Sequence, residues 1–366
     1  MTTDPTVATK LTTHERDLQQ LGNDLADWLG GPLGADGPVH VENVHAPTGG
    51  GMSSITILLD ATFARDGVKA TRHLVVRMPP DDSAFPVFPS YDLRRQYDAM
   101  AAAASRVPVP PLVGIEESPD LLGAPFLAME AVTGRVPTDN PPYVFGGWLH
   151  DATADERRTM QEATVDLLAG IHATPVESLP LLLDEAGADP LRTHFDAQRA
   201  YYAWTHARDG VRIPILERAF AWLEDRWPAD QGDPVLVWGD SRPGNVIFDG
   251  FLPAAVIDWE MAAVAPRGVD LAWMVVIHQF FQDIAEVFEL PGLPDFCQPA
   301  DVHARYAERT GVQVSDFEWY VVYAALRHGI VMSQVKRRMI HFGEETVPDD
   351  PDDYVMHRAL IERLIG

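Results

Sequence analysis

Cysteine is almost absent from this 366-residue chain: Cys297 stands alone, so no intrachain disulfide forms and no cysteine-rich metal site exists. A reducing, cytoplasmic setting is the expectation. Basic residues are scarce too. Lys and Arg number 28 against 54 Asp and Glu, a formal net charge of −26, which repels phosphate backbones and anionic membrane surfaces. Neither nucleic acid nor membrane is expected as a partner. The acidic surplus fits a cationic small-molecule substrate, and it fits plain solubility equally well. Long apolar runs are missing: LAWMVVIHQFF is too short for a span and carries His278, and MTTDPTVATKLTTHERD has no apolar core behind a basic patch. No repeat of 20–50 residues appears, which sets solenoids and propellers aside. There is also no H-x-H or H-E-x-x-H array, which weighs against a metal-dependent hydrolase.

What is present falls into two parts. Residues 12–29 read as a helix, with Thr12 and Glu15 at capping-box spacing, Leu18, Leu21, Leu25 and Trp28 on one face, and Gly30-Gly31 as its stop. Strand-like runs follow at 39–45, 53–63 and 73–78, then a helix over 91–105 closed by Pro108 to Pro111, then strands at 112–116 and 125–132. From 154 the pattern turns to long amphipathic helices, at 154–173, 190–208, 214–227, 268–288 and 316–342. Strands return only at 235–238, 246–249 and 254–257. The order predicts a β-rich part over 1–132, a small sheet carrying one helix, joined to a helical part over 133–366.

The stretch VLVWGDSRPGNVIFDGFLPAAVIDWE (235–260) carries the chemistry. Asp240 precedes Asn245 by five positions, and Asp258 follows 13 later behind the apolar Val256-Ile257. Phosphoryl transfer needs a carboxylate to orient a hydroxyl, with an amide oxygen and a second carboxylate for Mg²⁺, all carried on a loop between short strands. Asp240 fits the first role, Asn245 and Asp258 the others. Magnesium takes hard oxygens and keeps waters, so one amide and one carboxylate beside nucleotide phosphates suffice. The bland alternative for D-x-x-x-x-N is a pair of turn residues, and the strand-Asp-Trp that follows, with Asp270 at a helix start, tells against it.

Together WGDSRPGN, VIDWE and APRGVDLAW resemble the aminoglycoside phosphotransferase and choline kinase-like family, whose members commonly read HGD-x-x-P-x-N, IDW-E and P-x-x-DLA. The resemblance implies an α+β, bilobal protein-kinase-like fold: an N-terminal lobe with a small antiparallel β-sheet and one packed helix, and a larger, mostly helical C-terminal lobe. It implies an ATP-dependent (or other nucleoside triphosphate-dependent) kinase acting with Mg on the hydroxyl of a small molecule. By the same resemblance Asp240 is the catalytic base, Asn245 and Asp258 hold the metal, and Asp270 is the buried carboxylate bracing the catalytic loop. Trp238 stands where His is usual, as a packing element. His172, on an apolar helix face, is structural and matches a family helix behind that loop.

The nucleotide-binding candidates lie in the first part. Gly49-Gly50-Gly51-Met52-Ser53-Ser54, between two strands, offers backbone N–H groups to phosphate oxygens or forms an ordinary hairpin turn, and it resembles the family's G-G-x-S/T-N loop, with Gly50, Gly51, Ser53 and Ser54 as the contacts. Arg77 stands at the strand position of the phosphate-pairing cation, or else at an exposed strand end. Gln96 occupies the helix position where the family places a glutamate, and a neutral amide gives no charge-assisted pair. That departure motivates an alternative reading, a catalytically impaired nucleotide-binding regulator of the same fold. PFLAMEAVTGRVP (125–137) resembles the strand and hinge between lobes, with Glu130 C=O and Val132 N–H for adenine, and reads equally as an ordinary buried strand. No motif after residue 190 names the acceptor.

Overall fold

A computed structural model describes residues 18–47, 54–80 and 84–366. Its contacts divide the chain into two units, one ending at Tyr97 and resuming over Pro110–Ala131, the other formed by Asp98–Val109 and Val132–Gly366.

The first unit is an antiparallel sheet in the order β1-β2-β3-β5-β4, from β1 (His40–His45), β2 (Ile55–Arg65), β3 (Val68–Met78), β4 (Leu112–Glu116) and β5 (Phe126–Glu130). Alternation along β2 buries Ile55, Ile57, Leu59, Ala61 and Phe63 on one face. At the hairpin tip Asp66 and Gly67 both take positive φ, which two-residue hairpin turns require. The sequence expects β3 to begin at 73; it begins at Val68, because pairing with β2 satisfies the backbone of a polar segment that has no apolar signal of its own. Helix α1 (Leu18–Leu33) lays Leu21, Leu25, Leu29 and Leu33 on the sheet core. It runs through the glycines expected to stop it. Each Gly costs about 1 kcal/mol in a helix interior, and burying Leu33 one turn beyond Leu29 offsets that. The expected Thr12–Glu15 cap and the glycine loop lie outside the described residues. Helix α2 (Leu93–Ala103) follows the sheet's central hairpin, starting two residues later than its apolar pattern suggests.

The second unit is mostly helical: α3 (Ala154–His172), α4 (Pro180–Ala186), α5 (Pro190–His206), α6 (Pro214–Asp225), α7 (Gly268–Val287), α8 (Pro299–Thr310), α9 (Phe317–His341) and α10 (Arg358–Ile365). Thr153 and Glu156 close a capping box on α3. Helix α7 is apolar and buried almost all round, as a central helix must be, and α9 packs along it. Residues 98–109, assigned above to the N-terminal part, belong here. A side chain on Gly170 of α3 would come within 2.6 Å of Val107, so the glycine admits that segment, and Val256 N–H donates to Pro108. Two small antiparallel pairs complete the unit: β6 (Pro234–Val237) with β9 (Ala263–Pro266), and β7 (Val246–Asp249) with β8 (Leu252–Val256). Among the described residues no helix is long and apolar enough to cross a membrane.

Candidate active site

The two strand pairs of the second unit hold the chemistry between them. Residues 238–245 leave β6 and enter β7, while residues 257–262 leave β8 and enter β9, so pairing fixes both ends of both loops. Ile257 N–H donates to the Asn245 carbonyl at 3.0 Å and joins the loops where they adjoin β7 and β8. The turn is made possible by Gly239, at φ 91°, where a side chain would lie 2.1 Å from the Met261 carbonyl oxygen.

Asp270, fully buried in the first turn of α7, holds this loop from behind. Its carboxylate accepts from the N–H groups of Trp238 and Gly239, each at 2.7 Å, and from His172 Nε2 at 3.1 Å. Its carbonyl accepts from Ser241 Oγ at 2.7 Å. Because Nε2 donates, His172 Nδ1 accepts from the Tyr306 hydroxyl at 2.8 Å. Burial pushes that tyrosine up to about 12, so it stays a donor. Asp270 and His172 thus contact each other, and Asp270 holds the start of the loop through two backbone N–H groups. Trp238 does more than pack: its indole N–H reaches the carbonyls of Ile257 and Asp258, at 3.0 and 3.1 Å, and ties the second loop to the first.

Asp240 retains 15% side-chain exposure, and its carboxylate is held by donors on two elements. Trp273 Nε1 of α7 reaches Oδ1 at 2.6 Å, Asn245 Nδ2 reaches Oδ2 at 2.6 Å, and Arg242 Nε spans both oxygens at 3.1 and 3.2 Å. Asn245 spends its amide N–H on Asp240, which leaves its oxygen as an acceptor. Asp258 adopts φ 62°, a left-handed backbone that the Trp238 contact maintains. Asn245 and Asp258 thus carry an amide oxygen and a carboxylate on two bonded loops, hard-oxygen groups of the kind Mg²⁺ takes; among the described residues no group of three or more His, Cys, Asp or Glu is arranged to hold a metal ion.

Several residues of this network are not among those the sequence singles out. Arg242 also grips Asp139 through Nη1, at 2.6 Å to each oxygen. Burial works to lower its pKa, and the two carboxylates outweigh that and raise it. Arg327 of α9, 1% exposed, donates to the carbonyls of Gly239 and Val269 and lies 4.4 Å from the centroid of the Trp273 ring it covers. Arg242 and Trp273 sit inside the quoted motifs and could have been suspected; Asp139 and Arg327 come from distant segments that only tertiary packing brings here.

In the first unit the nucleotide candidates are only partly described. Gly50, Gly51 and Ser53 lie outside the described residues. Arg77, near the end of β3 and 9% exposed, donates through Nη2 to Ser54 Oγ at 2.7 Å. Gln96 is buried in α2 and makes no hydrogen bond to Arg77. Glu130 ends β5, with its N–H on the Pro111 carbonyl and its carboxylate 3.3 Å from Arg72. Val132 follows, half-buried, and begins the second unit's longer segment.

The model of a family described as the phosphotransferase enzyme family matches residues 58–306. A protein of Arabidopsis thaliana named a probable acyl-CoA dehydrogenase is 22% identical over 334 residues, which are 87% of this chain and 39% of that protein. The chain therefore spans well under half the length of that relative. Among solved structures, a Ralstonia eutropha protein provisionally assigned as an aminoglycoside phosphotransferase superposes with TM-score 0.67 at 20% identity, covering 94% of this chain and 96% of that one. Aminoglycoside 2'-phosphotransferase-IIIa in its GDP complex superposes with TM-score 0.55 at 13% identity, over 96% and 99%. At such identities these likenesses show the fold, which is the α+β protein-kinase-like one.

Proposed function

Because the chain belongs to the phosphotransferase enzyme family, we propose that it is an ATP-dependent kinase that moves the γ-phosphoryl group to a hydroxyl of a small molecule. The single observation that carries this reading is the cradle around Asp240: a carboxylate with limited exposure, oriented by Trp273, Asn245 and Arg242, with the Asn245 oxygen left free on the other side. Asp240 would accept the hydrogen bond of the incoming hydroxyl, orient its lone pair and take its proton as the O–P bond forms. Asn245 and Asp258 would hold Mg²⁺, which when bound supplies charge neutralisation at the phosphate oxygens. Arg77 and Ser54 would hold nucleotide phosphate, and the backbone around Glu130 and Val132 would meet the base.

The relatives' names suggest where to begin with acceptors. The Arabidopsis protein is named for acyl-CoA chemistry and the solved neighbours for aminoglycosides, so hydroxyacyl thioesters and amino sugars head the list. The test is a mass-shift screen of pooled alcohols, amino sugars and hydroxyacyl thioesters with Mg·ATP. A product one phosphoryl group heavier is expected, and Asp240→Ala should lower its turnover roughly 10²- to 10⁴-fold while ATP still binds. Unchanged turnover in that variant removes Asp240 from the mechanism. One observation favours a second reading, a nucleotide-binding regulator: Gln96 supplies neither charge nor hydrogen bond to Arg77. For that reading ATP raises the melting temperature and no acceptor is phosphorylated; a single confirmed product ends it.

A further inference from the structure

Two hydrogen-bonding groups near this network have no partner among the described residues: one on Arg242, which contacts Asp240, and one on His328, which packs on the Trp273 that does. Arg242 gives Nε to Asp240 and Nη1 to Asp139, but Nη2 donates to nothing among the described residues, and the side chain keeps 17% exposure. His328, on α9 next to Arg327, is 7% exposed and makes no hydrogen bond through either nitrogen. Its Nδ1 is sealed in, so Nε2 is the atom left to meet a ligand. The ring stands edge-on to Trp273 with centroids 5.9 Å apart, and that indole reaches Asp240 at 2.6 Å. Phe280 and His357 wall its other sides at 4.7 and 4.6 Å.

Leaving a buried polar group unpaired costs about 1–3 kcal/mol, so a buried imidazole without a partner, packed on the tryptophan that holds Asp240, is a place where a ligand completes the bonding. The carboxylate of Asp240 already receives four contacts, which fills its four lone-pair positions. A hydroxyl arriving there must share or displace one. The Arg242 contacts are the longest, at 3.1 and 3.2 Å against 2.6 Å for the others, so the incoming group exchanges with Arg242 and comes to lie beside its guanidinium. Burial, then His357, then Arg242 hold the pKa of His328 well below its ordinary value, so the ring is neutral. With Nδ1 buried and lacking a partner, the tautomer that places the proton on Nε2 presents an N–H outward. Both free groups are then donors; an ammonium brought between them would meet a guanidinium charge, and the nearest carboxylates, Asp240 and Asp139, are already engaged by that guanidinium.

We propose that Arg242 Nη2 and His328 Nε2 form the acceptor subsite beside Asp240, and that the group flanking the phosphorylated hydroxyl is an oxygen, whether carbonyl, carboxylate or second hydroxyl, rather than an ammonium. The proposal rests on the kinase reading above, and a binding experiment without nucleotide separates the two. Full-length protein labelled with ¹⁵N-histidine is titrated with 3-hydroxybutyrate, 1,2-propanediol and 1-amino-2-propanol, the His328 signals being assigned with His328→Gln. The carboxylate or the diol should move those signals, and the amine should not. No movement with either oxygen compound, or movement with the amine alone, overturns the subsite. With an acceptor from the screen, His328→Leu should raise the acceptor KM about tenfold, the scale of one lost hydrogen bond, with the KM of ATP held within about twofold. His328→Gln, which keeps an N–H donor, should recover most of that loss. A change in the KM of ATP with none in the acceptor KM contradicts the assignment. If the titration succeeds and no compound is phosphorylated, the kinase reading falls while the subsite stands.

Discussion

Trp273 shows how an uncharged residue far along the chain from Asp240 can orient its carboxylate. Its indole N–H is one of two 2.6 Å contacts on Asp240, and its face lies under the Arg327 guanidinium. Trp273→Phe keeps the ring that Arg327 covers and removes only the donor. Turnover should fall about tenfold, the value of one charge-assisted hydrogen bond, with ATP affinity preserved by calorimetry; equal losses in both would mean a general collapse of the site. Asp270→Asn is a harsher change, since the amide sets N–H groups against the donors of Trp238, Gly239 or His172. Breaking a buried charged network this way costs about 3–5 kcal/mol, and chemical denaturation should show it. At this scale the sequence was most readable where chemistry is local. Asp240, Asn245 and Asp258 announce themselves by spacing within one short stretch of sequence. His328 and Arg327 do not, because a histidine or arginine on a helix 80 or so residues downstream looks like any other until packing brings it onto Trp273.

The elements most readable in advance were those with strong periodicity, α3, α5, α6, α7 and α9, whose ends the pattern places within two or three residues. Strand β9, of four residues, escaped because Ala263–Pro266 has no alternation and ends in proline; it exists because β6 pairs with it. Helix α1 continued past its glycines for the sake of one buried leucine. Such cases share a cause: tertiary pairing or burial outweighed local propensity. The hairpin-bound loop makes its own prediction. Gly239→Ala would force a side chain into the Met261 carbonyl at a φ that L-residues avoid, so the variant should lose several kcal/mol of stability, read as a large drop in melting temperature. A melting temperature close to wild type would show that the loop is free to rearrange.

Across the whole molecule, pH acts through buried imidazoles. Burial lowers His278 and His357 to about 4 each and so keeps them neutral, outweighing the backbone carbonyls that accept from Nε2 and pull the other way, Leu293 for one and Ala325 for the other. An unfolded chain protonates these groups near pH 6.5, so it binds protons that the native sites refuse between about 6.5 and about 4. Stability is therefore fully present above that window and is lost as the pH falls through it, each site contributing up to about 1.4 kcal/mol per pH unit. Calorimetry of wild type against His357→Gln should show a flatter pH dependence in the variant. Both proteins share the same acidic surplus, so the comparison cancels it; parallel curves would remove His357 from the account.

The proposed division of labour between Asp240 on one side and Asn245 with Asp258 on the other is tested most directly by ATP affinity with and without Mg²⁺ in wild type, Asp240→Asn and Asp258→Asn. Calorimetric titration should give Mg²⁺-strengthened binding in wild type and in Asp240→Asn, and loss of that Mg²⁺ dependence in Asp258→Asn. Binding in Asp258→Asn that still tightens with Mg²⁺ as in wild type would contradict it.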